Sequence, residues 1–221
     1  MTLSERNRIL YLLDILSKNQ KCVPKVSPEA SELVNFNGFF RAGNLVCMES
    51  LVPLALRGIE LGASPYTVSK FLDWRDFESL VTRYLTLSGW EAIHSLRLKS
   101  RRFELDVIGV SPVSRIGLVI DCKHWSPGYY KKTKLKNTAL QHRSKVELLR
   151  DEFTFHIAKY PVLKKCVSLV PAVVTLTECV KGFYEGSFIV PIQTFRDFLN
   201  NLDIYLDEVG SNSYVRIVKS R

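Results

Sequence analysis

The stretch Ile116-Gly117-Leu118-Val119-Ile120-Asp121-Cys122-Lys123 decides the fold of this chain. A short run rich in Ile, Leu and Val, bounded by turn signals, predicts a buried β-strand. Residues i and i+2 of a strand point to the same face, so Asp121 and Lys123 share one side, about 6–7 Å apart along the strand. The apolar run predicts a strand at the centre of a sheet. Because an unpaired charge is costly to bury, the charged residues at its end predict a functional site.

A second carboxylate, Asp106, lies fifteen positions upstream in another apolar run. Mg²⁺ takes oxygen ligands and keeps several waters, so Asp106 and Asp121 can bind it, with the Cys122 carbonyl as a further ligand. Lys123 then fits as the group that positions a water and stabilises charge near a scissile phosphate. The alternative is a structural ion pair of Asp121 and Lys123, with Asp106 paired to an arginine.

The surrounding pattern predicts an α/β fold. Apolar runs predict strands over residues 90–98, 103–110, 116–123, 167–176 and 188–192, and helical periodicity predicts helices over 137–153 and 194–202. A further amphipathic helix begins after Asp73 and ends at Gly89, and Glu78 lies on the margin of its apolar face. The order of helix, three strands, helix, two strands and helix predicts a mixed central sheet with helices on both faces.

The N-terminal region reads differently. We predict a helix over residues 4–18, loops or short strands over 21–44, and a helix over 51–61, followed by a short helix capped by Ser64. Residues 56–72 therefore look like a helix–turn–helix with Gly62 in the turn, a unit that either packs internally or enters a DNA groove. We expect a mainly helical region over residues 1–72 and a second domain over 73–221.

Charge favours a polyanionic partner. The chain has 31 Lys+Arg against 22 Asp+Glu, a net charge of +9 and a pI near 9.3, which suits nucleic acid as well as a merely basic protein. Basic residues flank both ends of the acidic site, and we predict that they bind DNA, four of the lysines from an exposed loop. These residues are Arg97, Lys99, Arg101, Arg102, Lys131, Lys132, Lys134 and Lys136. A solvated basic face is the alternative for each of them.

Cysteine usage and hydropathy bear on location. The five cysteines have no C-x-x-C spacing, which argues against a zinc or iron–sulfur site and predicts reduced thiols in a cytosolic protein. No secretory signal opens the chain, and the apolar segment 45–63 is interrupted by Glu49, Arg57 and Glu60. We therefore expect a cytoplasmic protein that does not contact a membrane.

Together, Glu78, Asp106 and Asp121-x-Lys123 resemble the PD-(D/E)xK nuclease superfamily, nearest to its archaeal Holliday-junction-resolvase-like and Mrr-type restriction-endonuclease-like branches. The resemblance covers about residues 73–200. It implies a restriction-endonuclease-like α/β core, preceded here by the N-terminal helical extension, in which Glu78 is the helix acid and the other three residues form the strand motif. Leu105 replaces the proline that names the motif, and Asp121 is the shorter of the two permitted acids.

The resemblance implies a Mg²⁺-dependent DNA endonuclease, with Mn²⁺ able to substitute and a homodimer cutting two strands. Gln141 falls where related nucleases often have a glutamine, although a solvated side chain fits equally. His124 and Trp125 follow Lys123 and either contact a nucleotide or pack in the loop. The alternatives are a resolvase of Holliday junctions or other branched DNA, a non-catalytic DNA-binding protein using the N-terminal helices, and an ion-pair network without function. The sequence does not decide the geometry of the substrate, nor whether the substrate is DNA or RNA.

Overall fold

The computed structural model describes residues 4–99, 103–125, 131–178 and 180–217, without the side chains of residues 131 and 132. The chain forms two compact units, Met1–Leu80 and Val81–Arg221. This division lies inside the helix Trp74–Leu87, whereas the sequence favoured a boundary before that helix, between residues 72 and 73. That domain boundary stays a prediction.

The first unit combines short helices with a small antiparallel sheet of order β1-β3-β2. Its elements are α1 (Glu5–Lys18), β1 (Cys22–Pro24), α2 (Pro28–Leu33), β2 (Phe39–Ala42), β3 (Leu45–Met48), α3 (Val52–Glu60) and α4 (Pro65–Ser69). Sequence periodicity predicted α1 well. It left residues 21–44 as loops or short strands, because strands of three or four residues are too short to show a clear alternation of apolar and polar residues.

The predicted helical hairpin is present as α3, a turn and α4. Gly62 in the turn has a φ of +87°, a conformation that glycine adopts without steric cost. The Ser64 hydroxyl accepts a hydrogen bond from the Thr67 N–H at 3.1 Å, which caps α4. Val68 and Leu72 are buried, so these two side chains serve internal packing. DNA contact by this hairpin stays a prediction.

Two cysteines correct the sequence analysis. Cys22 and Cys47 lie opposite each other on β1 and β3 and form a disulfide, so the prediction of reduced thiols is wrong for this pair. The strand register brings them together across 25 residues, and no spacing rule reveals such a pair. Cys122 and Cys166 are thiols. Cys179 lies outside the described residues.

Helix α5 (Trp74–Leu87) links the two units in sequence. The Asp73 carboxylate accepts a hydrogen bond from the Asp76 N–H at 2.8 Å, which is the predicted N-cap. The five residues predicted to form the apolar face of this helix are all buried: Phe77, Leu80, Val81, Tyr84 and Leu85. Gly89 follows the helix with a φ of +80° and lets the chain turn into the next strand.

The second unit is built on a seven-stranded mixed sheet of order β4-β5-β6-β7-β9-β8, with β10 paired to β7. The strands are β4 (Glu91–Arg97), β5 (Glu104–Val110), β6 (Ile116–Lys123), β7 (Ser168–Thr175), β8 (Gly182–Tyr184), β9 (Ser187–Pro191) and β10 (Val215–Arg216). Strand β5 pairs antiparallel with β4 and with β6, whereas β6, β7 and β9 run parallel. The sequence predicted strands at the positions of β4, β5, β6, β7 and β9, and it missed the short β8 and β10.

Helices cover both faces of this sheet, which confirms the predicted α/β class. They are α6 (Lys131–Asp151), α7 (Phe153–Lys159), α8 (Phe195–Asn200) and α9 (Leu202–Val209). Val146 and Leu149 of α6 pack with Ile108 and Val119 on one face. On the other face, a Cβ added at Gly109 would meet Leu85 at 2.7 Å, so the glycine permits close packing of α5.

Strand β7 is buried at all eight positions, as its continuous apolar run predicted. It nevertheless contains Pro171, which cannot donate a backbone hydrogen bond. On that side, β10 pairs with Ser168 and Leu169, and the pairing with β9 begins only at Ala172. Pro171 occupies the gap between the two pairings, where no N–H is required.

Helix α6 begins earlier than predicted. The lysines at 131, 132, 134 and 136 were expected in an exposed loop, but they lie in the first turns of α6, so that prediction is wrong. Leu135 and Ala139 are buried at i, i+4 spacing and extend the apolar stripe into the basic stretch. The helix predicted over 194–202 is two helices, α8 and α9, that meet at Asn201. Among the described helices, none has the length and apolar character needed to cross a membrane.

Candidate functional site

Asp106 and Asp121 lie side by side on adjacent strands. Strands β5 and β6 pair antiparallel with Val107 opposite Ile120, and one further residue of this register places Asp106 opposite Asp121. Residues opposite each other point to the same face of a sheet. The Cys122 N–H donates a hydrogen bond to Asp106 Oδ2 at 2.7 Å and holds this carboxylate against β6. The structure thus brings together the two acids that the sequence singled out.

Two ammonium groups approach the buried Asp121. Lys123 Nζ lies 2.5 Å from Oδ2, and Lys145 Nζ of α6 lies 3.7 Å from Oδ1. Despite the close contact with Lys123, Oδ2 accepts no hydrogen bond of standard geometry from any described residue. The Lys123 ammonium is therefore the cation that faces Oδ2, and no donor of standard hydrogen-bond geometry among the described residues competes for that oxygen.

The two carboxylates repel each other. Burial, followed by the negative charge of Asp121, raises the pKa of Asp106 to about 6, against the opposing effects of the Cys122 N–H, Lys123 and Lys145. Asp106 therefore keeps its proton at mildly acidic pH and releases it near pH 6, which is well above the usual range of a carboxyl. A bound cation would relieve this repulsion, and carboxylates perturbed in this way concentrate at functional sites.

The donor set is suited to a hard cation. Within the described ranges, no group of three or more His, Cys, Asp and Glu side chains is arranged to hold a metal. Mg²⁺ needs only one or two carboxylates, because waters and backbone carbonyls complete its six oxygen ligands. The Asp106–Asp121 pair fits that requirement, and a zinc site built from nitrogen and sulfur donors does not. The proposed role of the Cys122 carbonyl stays a prediction.

The structure adds Lys145, which the sequence analysis did not count as a site residue. It follows Gln141 by one helical turn on α6, and its contact with Asp121 depends on how α6 packs over β6. Gln141 is exposed, and its auxiliary role stays a prediction. Glu78 is half-buried on α5 and belongs to the first unit, so its assignment as the helix acid also stays a prediction.

His142 is a second residue near Asp121 that the sequence pattern did not single out. It is buried beneath β6, and its Nε2 lies 2.9 Å from the Val119 carbonyl oxygen. A carbonyl only accepts, so Nε2 carries the hydrogen and Nδ1 has a lone pair, which meets no partner among the described residues. Burial lowers the pKa of His142 despite the nearby Asp121, so the ring is neutral.

The structure describes some of the eight basic residues that were predicted to bind DNA. Lys134 Nζ lies 4.5 Å from the centre of the Trp125 ring, and Lys136 Nζ lies 4.7 Å from that of Tyr184. Trp125 also packs against a buried cluster that includes Leu135, so the loop-packing alternative holds for this side chain. His124 is half-buried, with neither predicted role tested.

The remaining residues predicted to bind DNA are exposed or lie outside the described residues. Arg97 and Lys99 are exposed, and Arg97 lies 3.8 Å from Glu104, which offsets part of its charge. Arg101 and Arg102 lie outside the described residues, as do the side chains of residues 131 and 132. DNA contact by all of these residues stays a prediction.

The known proteins that this chain resembles are distant from it. No protein-family model matches the chain. An uncharacterized protein of Archaeoglobus fulgidus is 29% identical over 141 residues, which is 62% of this chain and 97% of that protein. Among solved structures, VC1899 from Vibrio cholerae has a TM-score of 0.35 and 16% identity over 93% of this chain. Can2 from Sulfobacillus thermosulfidooxidans, solved with cyclic tetra-adenylate, has a TM-score of 0.33 and 13% identity over 92%.

The chain spans 51% of the length of each of these two solved proteins. At such TM-scores the likeness assigns no function. Any functional conclusion therefore rests on the geometry around Asp106 and Asp121.

Proposed function

We propose that this protein is a Mg²⁺-dependent deoxyribonuclease that hydrolyses phosphodiester bonds at the Asp106–Asp121 pair. The observation that supports this most is the pairing of two carboxylates on adjacent buried strands, with Lys123 Nζ 2.5 Å from Asp121. A structural ion pair would need one acid for this lysine, and the second acid adds only repulsion. The same residues carry the resemblance to the PD-(D/E)xK nucleases.

The residues of the site divide the work. Asp106 and Asp121 would hold Mg²⁺, which supplies a water of lowered pKa and neutralises charge on the phosphate when bound. Lys123 would orient the attacking water and stabilise negative charge on the phosphate oxygens, because its ammonium contacts Asp121 and its side chain is partly exposed. Lys145 offsets the charge of Asp121 from the other side. Mn²⁺ is expected to replace Mg²⁺, since both bind oxygen ligands.

DNA is the proposed partner because the chain is strongly basic. A net charge of +9 attracts a polyanion to a site whose centre is acidic. Lys134 and Lys136 on the first turns of α6 would contribute to this attraction. A homodimer would place two sites on two strands, and the first unit would tune substrate choice; both belong to the proposal.

The direct test is a cleavage panel. Purified protein is incubated with supercoiled, linear, single-stranded and branched DNA, and with RNA, in Mg²⁺, Mn²⁺ or EDTA. We expect cleavage of at least one DNA that EDTA abolishes. An Asp121→Asn variant purified in the same way controls for contaminating nucleases.

The outcomes separate the alternatives. Cleavage of branched DNA alone would identify a resolvase, and cleavage of RNA alone would overturn the DNA assignment. If the wild type cuts nothing with either metal, the nuclease proposal is wrong. Binding of DNA without any cleavage would favour the non-catalytic DNA-binding alternative.

A further inference from the structure

A pocket of about 380 Å³ opens next to the acid pair and is lined by Phe103, Gln141, Ser144, Lys145 and Leu148. Lys145 connects the two features, because its ammonium lies 3.7 Å from Asp121 Oδ1 and 5.8 Å from the centre of the Phe103 ring. The volume falls in the range of pockets that hold small molecules. A ligand in this pocket would therefore contact Lys145, whose ammonium also contacts Asp121.

The lining suits a flat ring with a polar edge. Phe103 is 37% exposed and presents an aromatic surface, and Leu148 adds an apolar one. The exposed Gln141 amide offers both a donor and an acceptor. The Ser144 hydroxyl donates to the Leu140 carbonyl at 3.3 Å, so its oxygen can accept from a ligand. A nucleobase has this combination of a stacking face and a hydrogen-bonding edge.

The bases of a duplex cannot reach such a pocket, because they are stacked and paired. A nucleotide that enters with its base against Phe103 would bring its phosphate toward Lys145 and the acid pair. The structure therefore limits the kind of nucleic acid that can use both features together.

We propose that the Phe103–Gln141 pocket binds one unpaired nucleobase next to the scissile phosphate. On this view the substrate of the proposed nuclease is single-stranded at the cut, as in a free strand, a gap, a flap or an open junction. The assignment of the phosphate rests on the proposed function, whereas base binding does not depend on cleavage. Gln141 would favour adenine, whose edge pairs with an amide through two hydrogen bonds.

The test measures binding in EDTA, so that no cleavage is required. The probes are a short oligonucleotide containing 2-aminopurine, the same strand in a duplex, and the same strand with an abasic position in place of 2-aminopurine. Stacking on Phe103 should quench the 2-aminopurine fluorescence, and the wild type should bind the complete strand more tightly than the abasic one. Loss of one stacked base should weaken binding by about 5- to 150-fold.

Variants identify the pocket. Phe103→Ala should lose the quenching and weaken single-strand binding by a similar factor, with duplex binding unchanged, and Phe103→Tyr should restore both. Phe155→Ala is the matched control, because Phe155 is 51% exposed and also lies under a lysine, Lys99, at 4.9 Å. It should behave like the wild type.

Equal binding of the complete and abasic strands, or wild-type quenching by Phe103→Ala, would overturn the inference. A protein that cuts DNA but gives either result would keep the nuclease proposal and lose the base pocket. A protein that passes the binding test but cuts nothing would keep the pocket and lose the nuclease proposal. Failure to bind any of the probes would overturn the base pocket, and the cleavage panel would decide the nuclease proposal separately.

Discussion

Two buried aspartates, one in each compact unit, have opposite surroundings. Asp76 is 3% exposed and its carboxylate is fully engaged: it accepts hydrogen bonds from Ser50 Oγ at 2.7 Å and the Leu51 N–H at 3.1 Å, and Lys21 Nζ lies 2.8 Å away. Asp121 is equally buried at 4% and also contacts a lysine, but one of its oxygens accepts no hydrogen bond of standard geometry from the described residues.

The difference is the one that we expect between a structural acid and the functional acid that we propose. The acid of the first unit, on α5, joins the residue before β1 to the start of α3, because its partners come from these two segments. The acid of the second unit faces another carboxylate, Asp106, whose pKa is raised to about 6 as a result of burial and this neighbour. A fold gains from satisfied polar networks, whereas two buried carboxylates that repel each other are suited to binding a cation.

The largest expected effect is on catalysis. Asp121→Asn should lower the rate of DNA cleavage by about 10²- to 10³-fold or more, because it removes a charge that would hold the cation. The free energy of unfolding should fall less than in the Asp76 variant below, because relief of the repulsion with Asp106 offsets the loss of the ion pairs with Lys123 and Lys145. Single-turnover cleavage and urea unfolding measure the two quantities. Wild-type cleavage, or a loss of stability as large as that of the Asp76 variant below, would erase the proposed difference.

Asp76→Ala should act in the opposite way. We expect the free energy of unfolding to fall by about 3 kcal/mol, because the change leaves the buried Leu51 N–H without its acceptor and breaks a buried ion pair. The cleavage rate per folded molecule should not change. Asp73→Asn is the matched control: Asp73 also contacts Lys21 at 2.8 Å but is more exposed, and asparagine preserves the helix cap, so the loss should stay below about 1 kcal/mol. A similar loss in both variants would contradict this account.

The effect of Asp106→Asn should depend on pH. In the folded protein the pKa of Asp106 is about 6, so the carboxyl keeps its proton up to about that pH. In the unfolded chain the pKa is near 3.8. The wild type therefore loses stability as the pH rises through this window, and the loss is complete above it. At pH 7 the variant should be more stable by about 2 kcal/mol, allowing for partial exposure of the side chain, and near pH 3.5 the two should agree. Urea unfolding across this range measures the difference; a constant offset would contradict the raised pKa.

Mg²⁺ should produce the smallest effect. A cation that binds only the folded protein stabilises it by about 1.4 kcal/mol at ten times its dissociation constant. Calorimetry at matched ionic strength should show a higher melting temperature for the wild type and for Asp73→Asn with Mg²⁺, and no change for Asp106→Asn or Asp121→Asn. An equal rise in all four proteins would place the cation elsewhere.

The sequence by itself determined the central elements and the acid pair. Strands β5, β6 and β7 and the buried face of α5 follow from long apolar patterns, whose period reports which side of an element is buried. Asp106 and Asp121 could be placed together because their strands are consecutive, and consecutive strands joined by a short turn pair as neighbours.

Only the tertiary structure decided which distant elements meet. Lys145 and His142 reach β6 from α6, Cys22 and Cys47 pair through strand register, and Asp76 is satisfied by residues about 25 to 55 positions away. The periodicity of a segment indicates that one of its faces is buried, but it does not identify the segment that packs against that face. The positions of the acid pair therefore follow from the strand pattern of the sequence, whereas the partners of each charged side chain depend on tertiary packing.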